Sequence, residues 1–118
     1  MPRSIPEAST LLTAAVNYLE QELMPTLSGY HRFQTRVTAN VLNIIRRELE
    51  MGAVHEAAER GRLAALVGHD GSADGLNNEL CDSIRMDGID LKDRRLHAHL
   101  RQSLADALAI NNPKWTAE

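Results

Sequence analysis

Between Phe33 and Leu49 the chain reads FQTRVTANVLNIIRREL, and its apolar residues recur at the spacing of an α-helix. At roughly 100° per residue, Phe33, Val37, Val41 and Ile44 fall on one side, widened by Leu42, Ile45 and Leu49. Arg36, Asn40, Asn43, Arg47 and Glu50 line the adjacent side as helical neighbours. A helix patterned in this way belongs in a bundle. The apolar side is expected to face a core of aliphatic side chains, with the Arg and Asn residues outside it or between helices.

Glu48 projects into that apolar side, between Val41 and Ile44. A buried carboxylate without a partner is costly, so it should be paired or hold its proton more tightly. The residues three and four away are Ile44, Ile45, Met51 and Gly52, none of them a cation. A partner would have to come from another helix, with Arg62 and Arg85 the leading candidates. A buried pair of this kind would make Glu48→Leu cost roughly 3–5 kcal/mol. The alternative is a helix that has begun to leave the core by Glu48, with the carboxylate in water.

The rest of the chain divides into similar segments. Pro6-Glu7 marks a helix start, with Ser4 or Ile5 just outside it. Ala8, Leu11, Leu12, Ala15, Val16, Leu19 and Leu23 share one face. Pro25 should kink or end this helix, and Ser28-Gly29 marks the next turn. A second helix is expected from about Tyr30 to Met51, with Gly52 as its stop or bend. A third, Val54 to Val67, is rich in alanine, and a packing contact is the expected reason for Gly61 within it. After the loop GHDGSADG, Leu76, Leu80 and Ile84 define a fourth helix ending near Asp87-Gly88. Asp93 is a candidate N-cap for a fifth. Leu96, Leu100, Leu104, Ala107 and Leu108 form its expected core stripe, and Asn111-Asn112-Pro113 ends it. The expected architecture is all-α, a single helical domain over residues 1–118 built as a bundle of about five helices.

Composition agrees with that class and excludes several functions. Aromatic residues make up 3% of the 118 residues, so the core must come from Leu, Ile, Val and Ala. A net charge of −3 argues against nucleic-acid binding, which favours a basic excess. One cysteine, Cys81, cannot form an intramolecular disulfide and suits a reducing compartment. The opening MPRSIPEAST has no apolar signal core, and no apolar run is long enough to cross a bilayer. The expected setting is the cytoplasm.

Candidate sites are weak when examined one by one. Asp70, Ser72 and Asp74 with Gly75 imitate the start of a calcium-binding loop, but Cys81 stands where its glutamate ligand should be. A turn is the simpler reading. His97 and His99 lie two apart on a helix and point in nearly opposite directions, so they cannot chelate one metal ion. Cys81 lacks the surroundings of a nucleophile and reads as a small buried or half-buried residue. Arg36 and Arg47 stand roughly 16 Å apart along a helix and cannot grip one phosphate. Trp115 follows Asn112-Pro113 in a polar tail and is expected to fold back onto the bundle or to insert into another subunit. No pattern implies a catalytic residue, a cofactor or a metal.

Three blocks carry a resemblance. FQTRVTANVLNIIRREL, LNNELCDSIRMDGID and the closing INNPKW resemble a small bacterial all-helical domain family of unknown function, over about Leu11 to Trp115. Thr38 departs from it, standing where alanine is usual. The family is associated with genes for phosphotransferases resembling aminoglycoside or choline kinases and for acyl-CoA dehydrogenases, and similar sequences occur beside such a kinase domain. The resemblance implies an accessory module and supplies no catalytic residue. Carried over by position, its polar members are Arg36, Asn40, Glu48, Asn78 and Arg85.

Two functional expectations follow. The first is a non-enzymatic accessory or interaction protein, bound to itself or to a kinase-like or dehydrogenase-like partner through a helical face. The second is a small-ligand binder or enzyme, with Arg36, Asn40, Glu48 and Arg85 lining an interhelical pocket and Glu48 as its base.

Overall fold

The computed structural model describes residues 6–115, and no strand occurs among them. The chain divides into two compact units, Met1–Gly52 and Ala53–Glu118. Four α-helices are described: α1 (Ala8–Asn17), α2 (Gly29–Val67), α3 (Ala73–Arg85) and α4 (Arg94–Asn111). The all-α expectation holds, with four helices in place of about five. The difference lies at Gly52, where two expected helices are one. A glycine inside a helix costs only about 1 kcal/mol relative to alanine, too little to break a segment that is helical on both sides.

Gly52 instead makes room for Glu48. A Cβ at position 52 would lie 2.5 Å from the Glu48 Oε1 atom. That oxygen is the far end of an exposed, flexible side chain. Gly52→Ala is therefore expected to swing the carboxylate aside and raise stability by up to about 1 kcal/mol in urea denaturation. A loss of stability would mean that Glu48 is held where it lies.

In the first unit, α1 runs into a wider π turn at Tyr18–Leu23 and then a 3-10 turn at Met24–Thr26. Pro25 has no N–H to continue the ladder, and the backbone becomes extended at Leu27. The Thr26 hydroxyl donates to the Leu23 carbonyl at 2.7 Å. Gly29, with φ +60, turns the chain into α2, a conformation a side chain would strain. Val16 and Ala39 are the buried apolar residues of this unit among those described. Leu12, Leu19 and Leu23 are half-buried, while Leu11, Ala8 and Ala15 of the expected stripe are exposed.

The second unit has the fuller core. Leu63, Leu76, Leu80 and Leu96 are buried together, with Leu66, Val67, Ile84 and Ile89 packed against them. Ser72 caps α3, its hydroxyl accepting the Gly75 N–H at 3.1 Å. At the other end Asp87 takes φ +57, and the Gly88 N–H reaches back to the Ser83 carbonyl at 2.7 Å. This is the six-to-one closure of a helix C-terminus, at the expected stop. Asp93 caps α4 as expected, accepting the Arg95 N–H at 2.8 Å. That bond holds the Asp93 carboxyl below its ordinary range. Pro113–Trp115 forms a closing 3-10 turn. The expected fold-back of the Trp115 side chain lies outside what is described.

Three further expectations fail in this unit. Leu100, Leu104 and Ala107 of the α4 stripe are exposed; Leu96 is buried as expected, joined by His99 and Ile110, which the stripe did not include. The inward face is rotated because polar groups on α2 meet α4 there, as described below. Gly61 has open space around its Cβ position, so no packing contact explains it. Cys81, expected to be buried or half-buried, is likewise exposed.

Candidate functional site

In the first half of α2 most of the expected apolar side is turned outward, with Leu42 and Ile44 half-buried. Phe33, Val37, Val41, Ile45 and Leu49 are between 39% and 59% exposed, and Tyr30 beside them 69%. These five residues stand four apart, so each advances about 40° around the helix and together they form one slanting apolar ridge. Ala39, two residues before Val41 and so on the opposite side, is 2% exposed.

The polar side of α2 explains this choice. Arg32 donates through Nη1 to the Met24 carbonyl at 3.2 Å, capping a carbonyl at the end of the preceding helical run. Asn43 donates through Nδ2 to Glu20 Oε1 at 3.5 Å, and its own Oδ1 accepts from Arg46 Nε at 3.4 Å. Arg46 also pairs with Glu50 at 3.1 Å. Thr13, Val16, Asn17, Glu20, Asn43 and Arg46 line a cleft of about 250 Å³ between these elements. With α1 and its π turn covering the Ala39 and Asn43 side, the apolar ridge is left facing outward.

Glu48 lies on the exposed side, so the expectation of a buried Glu48–arginine pair fails and the wet alternative holds. Arg62 is engaged elsewhere, and Arg85 pairs with Asp82 at 3.5 Å. Arg36, Asn40, Asn78 and Arg85 are also exposed. Arg36, Asn40 and Glu48 belong to the first unit, Asn78 and Arg85 to the second. None of the five lines the cleft at Asn43, nor a cleft of about 280 Å³ at Glu56, Arg60 and Ser72, nor one of about 370 Å³ at Glu79, Asp90 and Arg95.

A second polar group, missed by sequence reading, lies between α2 and α4 in the second unit. His99 is 4% exposed. Arg62 donates through Nε to His99 Nδ1 at 3.1 Å and through Nη2 to Ser103 Oγ at 3.2 Å. Arg62 Nη2 also stands 3.9 Å from Asp106 Oδ2, and His55 Nε2 stands 3.8 Å from Asp106 Oδ1. Gln102 donates to the same Asp106 oxygen at 2.9 Å. Burial, and next the Arg62 charge, push the His99 imidazole below its ordinary value. Because Nδ1 accepts from Arg62, the neutral ring carries its proton on Nε2. His55 Nδ1 is buried with no hydrogen-bond partner.

This group is not arranged as a nucleophile and base. Ser103 Oγ accepts from a guanidinium and makes no hydrogen bond to either imidazole, so nothing there draws off its proton. Its chemistry is that of a structural network joining two helices. A sequence signal did exist: Leu96, His99, Ser103, Asp106 and Ile110 follow three-four spacing, the seam of a packed helix. His97, by contrast, bonds the Leu91 carbonyl on the outside, so the two histidines do diverge. On the surface, His69 contacts Glu79 at 2.6 Å and the Asp70 carbonyl at 2.9 Å. The Asp70 contact first, and then Glu79, raise its proton affinity.

Together these features define a small all-α protein with a polar-lined helix pair and an outward apolar ridge. Within that class, the chain belongs to the family described as Domain of unknown function (DUF6285), whose model matches residues 25–115. The match covers α2, α3 and α4 and therefore the ridge and the His99 network. No curated protein matches the chain, and no solved structure does. No helix among the described residues is long and apolar enough to cross a membrane.

Proposed function

We propose that this protein is a non-enzymatic accessory module that works by assembling with protein through the outward face of α2. The observation that carries this reading is the ridge Phe33, Val37, Val41, Ile45 and Leu49, exposed on the helix while Ala39 on the opposite side is buried. An apolar surface of this continuity is stable in water only at some cost and marks a contact site. The kinase-like and acyl-CoA-dehydrogenase-like genes associated with the resembling family supply the setting, assistance to a phosphotransferase or dehydrogenase pathway.

The test is functional. Phe33→Asp with Val41→Asp changes only half-exposed side chains, so helicity by circular dichroism should be kept. In the native cell, the variant should fail to support the phosphotransferase or dehydrogenase activity that the parent chain supports. A variant that keeps full support would overturn this reading.

A further inference from the structure

We infer that the α2 ridge closes on a second copy of this chain, in an antiparallel pair with its two-fold axis near Val41; this rests on the assembly reading above. Three observations select that occupant. The first is that the ridge is its own reverse. Phe33 and Leu49 stand eight residues either side of Val41, and Val37 and Ile45 four either side. A two-fold axis at Val41 therefore sets Phe33 of one copy against Leu49 of the other and Val37 against Ile45. Rows of residues four apart are the ridges that interlock in the commonest class of helix crossing. A symmetric pair uses one patch twice, which requires that patch to be self-complementary.

The second observation is charge. Arg36 lies five residues before Val41 and Glu48 seven after, both exposed. In the antiparallel pair, Arg36 of one copy and Glu48 of the other come to within about 3 Å of the same level along the helix. Both residues also stand roughly 90° to the same side of the ridge, so they meet on one rim. The symmetry makes this contact twice. A parallel pair would set the Arg36 and Glu48 rim of one copy on the opposite side from that of the other, so neither contact would form.

The third is area. The five ridge side chains expose on the order of 450 Å² of mostly apolar surface. Tyr30 and the charged rim extend the contact toward the ~800 Å² per partner of a standard interface. Pairing would add this area to the unit's buried apolar residues, Val16 and Ala39 among those described.

Light scattering and sedimentation equilibrium of the full chain test the pairing. The parent should show twice the 13.1 kDa chain mass at micromolar concentration. Val41→Glu, which sets two carboxylates at the axis, should be monomeric with its helicity intact. Should that variant lose its fold, charge exchange at the exposed rim still decides. Arg36→Glu alone should weaken pairing on the order of 10-fold, and adding Glu48→Arg should restore most of it. A monomeric parent at about 100 μM, or an exchange that fails to restore pairing, would overturn the antiparallel dimer. A monomer whose ridge variants still lose pathway support leaves the accessory reading standing without the dimer. A dimer whose ridge variants keep that support leaves the dimer standing without the accessory role.

Discussion

Leu63→Ala is expected to destabilise the protein by about 2–5 kcal/mol, as for other fully buried leucines cut back to alanine. Leu63 has no exposed surface and sits among Leu76, Leu80 and Leu96. The loss combines the transfer of three carbons with the cavity they leave between three helices. Leu104→Ala makes the same chemical change on α4 at a side chain 68% exposed and should stay within about ±0.5 kcal/mol. Urea denaturation of the pair, compared by midpoint at equal slope, gives the answer. Equal losses at both positions would show that α4 packs through the Leu100 and Leu104 face after all.

The second large effect belongs to Arg62. Arg62→Met should cost about 1–3 kcal/mol at pH 8, because His99 Nδ1 and Ser103 Oγ lose their donor. The same residue shapes the acid response. His99 folds with its imidazole held below 6.5, chiefly by burial and then by the Arg62 charge. Unfolding frees it to take a proton, so its contribution is whole above 6.5 and is lost as pH falls from there through the lowered folded value. Removing the Arg62 charge should narrow that window, leaving a weaker protein that is less sensitive to acid. His69 works in the opposite sense, present at low pH and lost as pH rises through its raised value, but it is exposed and screened. Histidine NMR titration separates the two. A His99 that titrates at or above 6.5 in the parent would contradict the buried contact with Arg62.

Elements were more legible in the sequence than faces. Asp93 as a cap, Asp87-Gly88 as a stop and the apolar period of α2 are local signals, and each marks a helix that exists. Gly52 was misleading because one glycine lowers helix propensity without deciding continuity. The inward face of α2 was not legible, since it depends on Glu20 meeting Asn43 and on Arg32 reaching Met24 across a turn. The inward face of α4 was hidden in the same way. Arg62 and His99 lie 37 residues apart, and their contact stands on the inward face of α4 while Leu100 and Leu104 are turned outward. Hydropathy favours leucine for a core at any position, whereas a satisfied polar network can hold the interior instead. The polar positions Arg36, Asn40, Glu48, Asn78 and Arg85 were legible as residues held in helices. The structure places each of them on the surface.

The chain contains a single phenylalanine, Phe33, which stands at one end of the ridge. Replacing it with fluorophenylalanine gives one fluorine NMR signal that reports directly on whether the ridge is covered. The signal should be insensitive to exchanging light for heavy water at micromolar concentration. It should become sensitive on strong dilution or with Val41→Glu. A signal that responds fully to the solvent at every concentration, and that Val41→Glu leaves unmoved, would contradict a covered ridge.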